Sequence, residues 1–161
     1  MYSEAQRREL IEKIRELPAR LRERVSGLTD AQLTTHFQAD EWTVAQNVHH
    51  LADSHMNSFI RMRLILTEDH PTLKPYDQDL WAELADSGTT AIEESLGLLD
   101  GLHARWVRLF ESLDEAAWRR SGLHPESGEM TIEDILRIYA VHGQGHIDQI
   151  SRALAAGTSD E

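Results

Sequence analysis

Residues 42–55 read Trp42-Thr43-Val44-Ala45-Gln46-Asn47-Val48-His49-His50-Leu51-Ala52-Asp53-Ser54-His55, and the apolar spacing continues through Phe59 and Met62 toward Thr67. Thr43 followed three residues later by Gln46 has the form of a capping box, in which each side chain satisfies the other residue's backbone N–H, so a long helix starts here. At about 100° per residue, Val44, Val48, Leu51, His55, Phe59 and Met62 share one face, and Gln46, Asn47, His50, Ser54, Asn57 and Arg61 share another. Ala45, Met56, Ile60 and Leu64 make the far side apolar as well. A helix apolar on most sides with one narrow polar seam is the wall of an internal cleft and needs other helices around it.

Those helices are readable on both sides. Upstream, Leu10, Ile14, Leu17, Leu21, Val25 and Leu28 recur at steps of three and four, with Pro18 expected to kink or break the helix near Leu17. Thr29 with Gln32 marks a second, short start. Downstream, the pattern lapses from Glu68 to Gly88, where Pro71 and Pro75 bound a connection holding only a short turn around Asp79 to Leu84. A loop of that length in a small domain usually has a task. Helical spacing resumes with Ile92, Leu96, Leu99, Trp106 and Leu113, and a short piece around Trp118 is expected to stop at Gly122, followed by a loop over Leu123 to Gly128. Thr131 with Asp134 caps a last helix ending near Gly157. No segment alternates with period two, so the expectation is an all-α chain: four long helices in a bundle, with two or three short helical pieces in the crossover loops.

Composition narrows the chemistry. The 161 residues suit one domain over 1–161, and the net charge of −12 disfavours nucleic acid and anionic membranes as partners. No apolar run approaches the ~20 residues that span a bilayer, and Met1-Tyr2-Ser3-Glu4 lacks the features of a signal peptide, so a cytoplasmic location is expected. There is no cysteine, which removes disulfides, thiolate metal ligands and a protein thiol nucleophile, whereas there are nine histidines. A metal site here must be built from histidine and carboxylate.

His142 and His146 lie four residues apart on a stripe with Ile135, Tyr139, Ile150 and Ala153, so both rings project along a core-directed face. Buried imidazole nitrogens need partners, and one shared metal ion would serve both rings. Gly143 and Gly145 between them each cost about 1 kcal/mol in helix propensity relative to Ala, which implies a close approach of a loop, ligand or helix. A third ligand is sought among His49, His50 and His55. Periodicity puts His55 in the core and His50 on the polar seam, with His49 a neighbour, and spacing by itself leaves the choice between His50 and His55 open. His36, His70 and His103 show no partner pattern and are read as structural or solvated. His124, before Pro125, lies in a loop able to fold over the cleft, although a turn role is the plainer reading.

Several stretches together resemble the DinB/YfiT-like superfamily, a group assigned to metal-dependent hydrolases, and most nearly its YfiT type: Gly27 to Leu33, Glu41-Trp42-Thr43-Val44 with His49 to Asn57, Leu66-Thr67-Glu68 with Pro71 and Lys74-Pro75-Tyr76, Trp81 to Leu84, Leu102 to Trp106, His124-Pro125, and Tyr139 with His142 and His146. The resemblance covers nearly the whole chain. It implies a single DinB-like four-helix bundle domain, a homodimer, and one divalent ion per chain, zinc or nickel, held by three histidines matching His50, His142 and His146. It thereby selects His50 by analogy. Relatives tend to carry a further histidine where this chain has Gly145.

Three neutral imidazoles leave coordination positions open, as in catalytic sites. The expected activity is hydrolysis of a small polar molecule by metal-activated water, with Asp53, one turn from His50, as a candidate base or hydrogen-bonding support. A second expectation, implied by the resemblance, is an S-transferase on a low-molecular-weight thiol of the bacillithiol or mycothiol kind. A third, of another class, is a non-catalytic metal-binding stress protein.

Overall fold

The Thr43 capping box is formed in the computed structural model, which describes residues 2–38 and 41–157: the Thr43 hydroxyl accepts from Gln46 N, and the Gln46 side chain accepts from Thr43 N at 2.9 Å. The long helices are α1 (Glu4–Val25), α3 (Val44–Thr67), α5 (Ile92–Glu111) and α7 (Ile132–Gly157), with short helices α2 (Asp30–Thr34), α4 (Gln78–Ala82) and α6 (Glu115–Trp118) in the connections. Helix α1 packs on α5 and α7, and α3 packs on the same two, so α1 and α3 face each other diagonally across a four-helix bundle. Among the described residues no helix is long and apolar enough to cross a membrane.

Of the kink or break expected near Leu17, the break does not occur: helix α1 runs unbroken through Pro18. Proline has no N–H for the carbonyl four residues back, which is that of Ile14. In this protein the Nδ1–H of His103, from α5, donates to the Ile14 oxygen at 2.6 Å. A neighbouring helix thus supplies the donor that the proline removes.

The second departure is a hairpin. Strands β1 (Ser121–His124) and β2 (Gly128–Thr131) pair antiparallel where the sequence pattern suggests only a loop after a stop at Gly122. Four residues per strand allow too few alternations for a period-two signal. The hairpin is tied to the 68–88 connection by Leu123 N donating to Pro71 O at 2.9 Å and Leu73 N to Leu123 O at 2.8 Å. Gly122 is required there, since a Cβ would stand 2.8 Å from the Pro71 oxygen.

The buried apolar side chains form two clusters. One contains Ile14, Phe59, Met62, Trp106, Phe110, Ile135 and Ala140, and the other Leu17, Leu21, Val48, Leu51, Leu99, Ile147 and Ile150. His55 lies between Ala52 and Phe59, His103 between Leu99 and Trp106, and His142 between Ala140 and Ile147, so the passage from one cluster to the other falls at a layer of histidines. Gly143 lets α1 and α7 meet beside this layer, because a Cβ there would overlap the Leu17 methyl carbons. Beyond its own helical turn, no described residue lies within 4 Å of where a Cβ at Gly145 would stand, and nothing in the described structure explains that glycine.

Candidate metal centre

Helix α3 contributes His50 from its polar seam, and α7 contributes His142 and His146 from one face. One nitrogen from each of the three rings lies within 4.8 Å of the others. His142 Nε2 and His146 Nε2 are 3.3 Å apart. Ligands of a tetrahedral zinc with bonds of about 2.1 Å stand about 3.4 Å apart, so this separation suits a shared ion.

The protonation of the rings can be read from their other partners. His146 Nδ1 is 2.8 Å from Asn47 Oδ1, and the Asn47 amide is oriented by donating from Nδ2 to Thr43 O at 2.9 Å. His146 therefore donates from Nδ1, and its Nε2 carries a lone pair. His50 Nε2 is buried and, among the described residues, has no hydrogen-bond partner, an arrangement that is costly unless something else occupies the nitrogen. Burial first, then His146 and His142 beside it, push the His50 imidazole down to about 3. Burial and then His146 push His142 to about 3, and burial holds His146 at about 4. All three rings are neutral at pH 7, the state in which imidazole binds a metal. The donor set, the orphaned nitrogen and the separation fit a divalent ion. Trp42 closes one side, its ring 4.6 Å from that of His50 and stacked on His146.

His142 opens onto a cleft of about 420 Å³ lined also by Ser54, Arg61, Tyr76, Asp77, His124, Glu126 and Tyr139. The 68–88 connection supplies Tyr76 and Asp77, and the hairpin supplies His124. Arg61 is fixed by donating from Nη2 to Lys74 O at 2.6 Å. His124 is buried in the cleft wall, and its Nδ1 accepts from the backbone N–H of Ser127 at 3.3 Å, which leaves the ring proton on Nε2. Asp53 is half-buried, with its carboxyl pushed up by burial and then by Asp86. Among the described residues it does not line this cleft.

The remaining histidines divide sharply. His49 is held away from the cluster by Ser95 Oγ at 2.8 Å and Thr89 O at 3.2 Å. His36 and His70 are exposed. His55 and His103, by contrast, are almost wholly buried, with His55 Nδ1 2.9 Å from His103 Nε2 and His55 Nε2 3.2 Å from His142 Nδ1. The core place expected for His55 is the one observed, and of the two readings left for His103, structural or solvated, the structure shows the structural one, a buried member of this layer. A signal for it was present, since Leu96, Leu99, His103, Trp106 and Phe110 recur at helical spacing on an otherwise apolar stripe.

A four-helix bundle with three inward-facing histidines beside a polar cleft defines a class of helical proteins with a candidate metal site between the helices. The chain belongs to the DinB superfamily, whose family model matches residues 13–150. It is 44% identical over 150 residues to a Bacillus subtilis (strain 168) protein named "Putative metal-dependent hydrolase YfiT", an alignment covering 92% of this chain and 84% of YfiT. It is 50% identical over 145 residues, 89% of this chain and 81% of the relative, to a protein of Geobacillus kaustophilus (strain HTA426) named in the same way with the designation GK0616. The solved structure of Bacillus subtilis YfiT, described as having an unusual four-helix bundle topology, superposes with a TM-score of 0.91 at 42% identity, covering 95% of this chain and 88% of that one. A mycothiol-dependent maleylpyruvate isomerase shares the fold at TM-score 0.70 and 18% identity, over 89% of this chain and 60% of the isomerase.

Proposed function

We propose that the protein is a metal-dependent hydrolase in which His50, His142 and His146 hold one divalent ion, zinc or nickel, at the inner end of the cleft. The observation that carries this reading is the convergence of three neutral imidazoles, His50 buried and His142 and His146 half-buried, the first with a nitrogen that has no hydrogen-bond partner among the described residues. When bound by three neutral ligands, such an ion supplies Lewis-acid chemistry, lowering the pKa of a coordinated water toward neutrality or holding a thiol as thiolate. The chain's own groups position a small polar substrate beside it. Arg61 presents a cation, Tyr139 and the neutral His124 present donors, and Asp77 and Glu126 are carboxylates in the cleft wall. A base role falls to one of these two carboxylates before Asp53.

The names carried by the close relatives support hydrolysis. The rival reading, transfer of a low-molecular-weight thiol, uses the same three nitrogens. The test is to strip the protein with a chelator, reload it with zinc, and assay an ester and amide panel beside the consumption of a small thiol with electrophiles. Hydrolysis that vanishes on stripping and returns on reloading is expected. Thiol consumption without hydrolysis would replace the hydrolase by a transferase. Neither activity, together with a cobalt-substituted spectrum showing no exchangeable solvent ligand, would make the ion structural.

A further inference from the structure

We propose that His103 and His55 are positioning residues for the centre: anchored on the Ile14 carbonyl, they fix His142 in the tautomer that carries its proton on Nδ1 and presents a lone pair on Nε2. The inference rests on the metal reading for its purpose but not for its geometry. A peptide oxygen only accepts, so the 2.6 Å contact between Ile14 O and His103 Nδ1 requires the proton on His103 Nδ1. A neutral imidazole has one N–H, so His103 Nε2 is an acceptor, and its 2.9 Å contact with His55 Nδ1 requires the proton there. His55 Nε2 then accepts, and its 3.2 Å contact with His142 Nδ1 requires the proton on His142 Nδ1. The only nitrogen left over is His142 Nε2, which faces His146 Nε2 at 3.3 Å.

The chain of contacts passes through all four long helices: Ile14 on α1, His103 on α5, His55 on α3 and His142 on α7. It begins at the carbonyl that Pro18 leaves without a helical donor, which gives the interior proline a purpose. The rings cannot readily turn to undo it. His55 and His103 lie side by side with centroids 5.0 Å apart and planes 15° from parallel, and the Trp106 ring stands nearly perpendicular to both. The opposite order of protons would leave the Ile14 carbonyl facing an unprotonated His103 Nδ1 and bring a proton onto His142 Nε2, where it would block the ligand position. Partners of this kind behind a metal-binding imidazole typically change affinity by about 10- to 100-fold when removed.

The test is a long-range ¹H–¹⁵N correlation spectrum of the metal-free wild-type protein labelled with ¹⁵N-histidine, which reads each tautomer without any metal or activity. Free imidazole side chains favour the Nε2–H form, so finding His103, His55 and His142 all as Nδ1–H is a result that the chain predicts and default chemistry does not. His103→Phe should return His55 and His142 toward Nε2–H and weaken zinc binding by about 10-fold or more. A wild-type His142 protonated on Nε2 overturns the proposal, as does a folded His103→Phe protein with unchanged tautomers and zinc affinity. If His103→Phe does not fold, the wild-type spectrum decides. Three Nδ1–H rings in a protein that takes up no zinc would sustain the hydrogen-bond chain and overturn the metal reading instead.

Discussion

Asn47 Oδ1 accepts the Nδ1–H of His146 at 2.8 Å, a contact between residues 99 positions apart that aims the opposite nitrogen of the ring at His142. Asn47→Leu keeps the branched shape and removes the acceptor, leaving the half-buried His146 N–H unpaired. Zinc affinity, measured by competition titration, should fall by about 10- to 100-fold, and the metal-free protein should lose about 1–3 kcal/mol in urea unfolding. Wild-type affinity in Asn47→Leu would show that the contact does not orient the ring.

The pH dependence of the metal-free protein follows from the same burial. His50, His142 and His146 are held at about 3, 3 and 4, whereas an unfolded histidine titrates near 6.5. Between those values the unfolded chain binds more protons than the folded one, so their contribution to stability is complete above about pH 6.5 and is lost as the pH falls toward 4. Each ring accounts for at most about 1.4 kcal/mol per pH unit in that window. Urea midpoints taken at pH 7.5, 6 and 5 should therefore descend steeply, and a flat series would contradict neutral burial.

Two glycines of one helix should respond oppositely to the same change. Gly143→Ala drives a methyl into Leu17, across the contact of α1 with α7, and should destabilise the protein by about 1–3 kcal/mol. Gly145→Ala meets none of the described residues outside its own helical turn and should stabilise by up to about 1 kcal/mol through helix propensity. Chemical denaturation of both variants decides it, and equal effects would contradict the described packing.

What could be read without coordinates follows the range of the interactions involved. Capping boxes are local, so Thr43 with Gln46 and Thr29 with Gln32 announced helix starts that the structure repeats. The polar seam placed His50 on a cleft wall, but only the resemblance chose it over His55 as a candidate ligand, because helical phase does not say which neighbour meets a ring. That Pro18 does not break α1 was hidden for the same reason. Its cost is local, and its compensation comes from His103, which lies 89 positions beyond Ile14. The hairpin at 121–131 was hidden because its support is the backbone of Pro71 and Leu73, whose hydrogen bonding leaves no trace in the pattern of side chains. Asp53 drew attention by its nearness in sequence to His50, yet the carboxylates lining the cleft are Asp77, from the long connection, and Glu126, from the hairpin.

Metal content by elemental analysis, comparing wild type with His50→Ala and His142→Ala after identical zinc loading and desalting, tests the three-histidine centre most directly. One equivalent of zinc per chain is expected in the wild type and a small fraction of that in each variant, with circular dichroism showing both variants helical. Full metal content in folded His50→Ala and His142→Ala proteins would contradict the three-histidine centre.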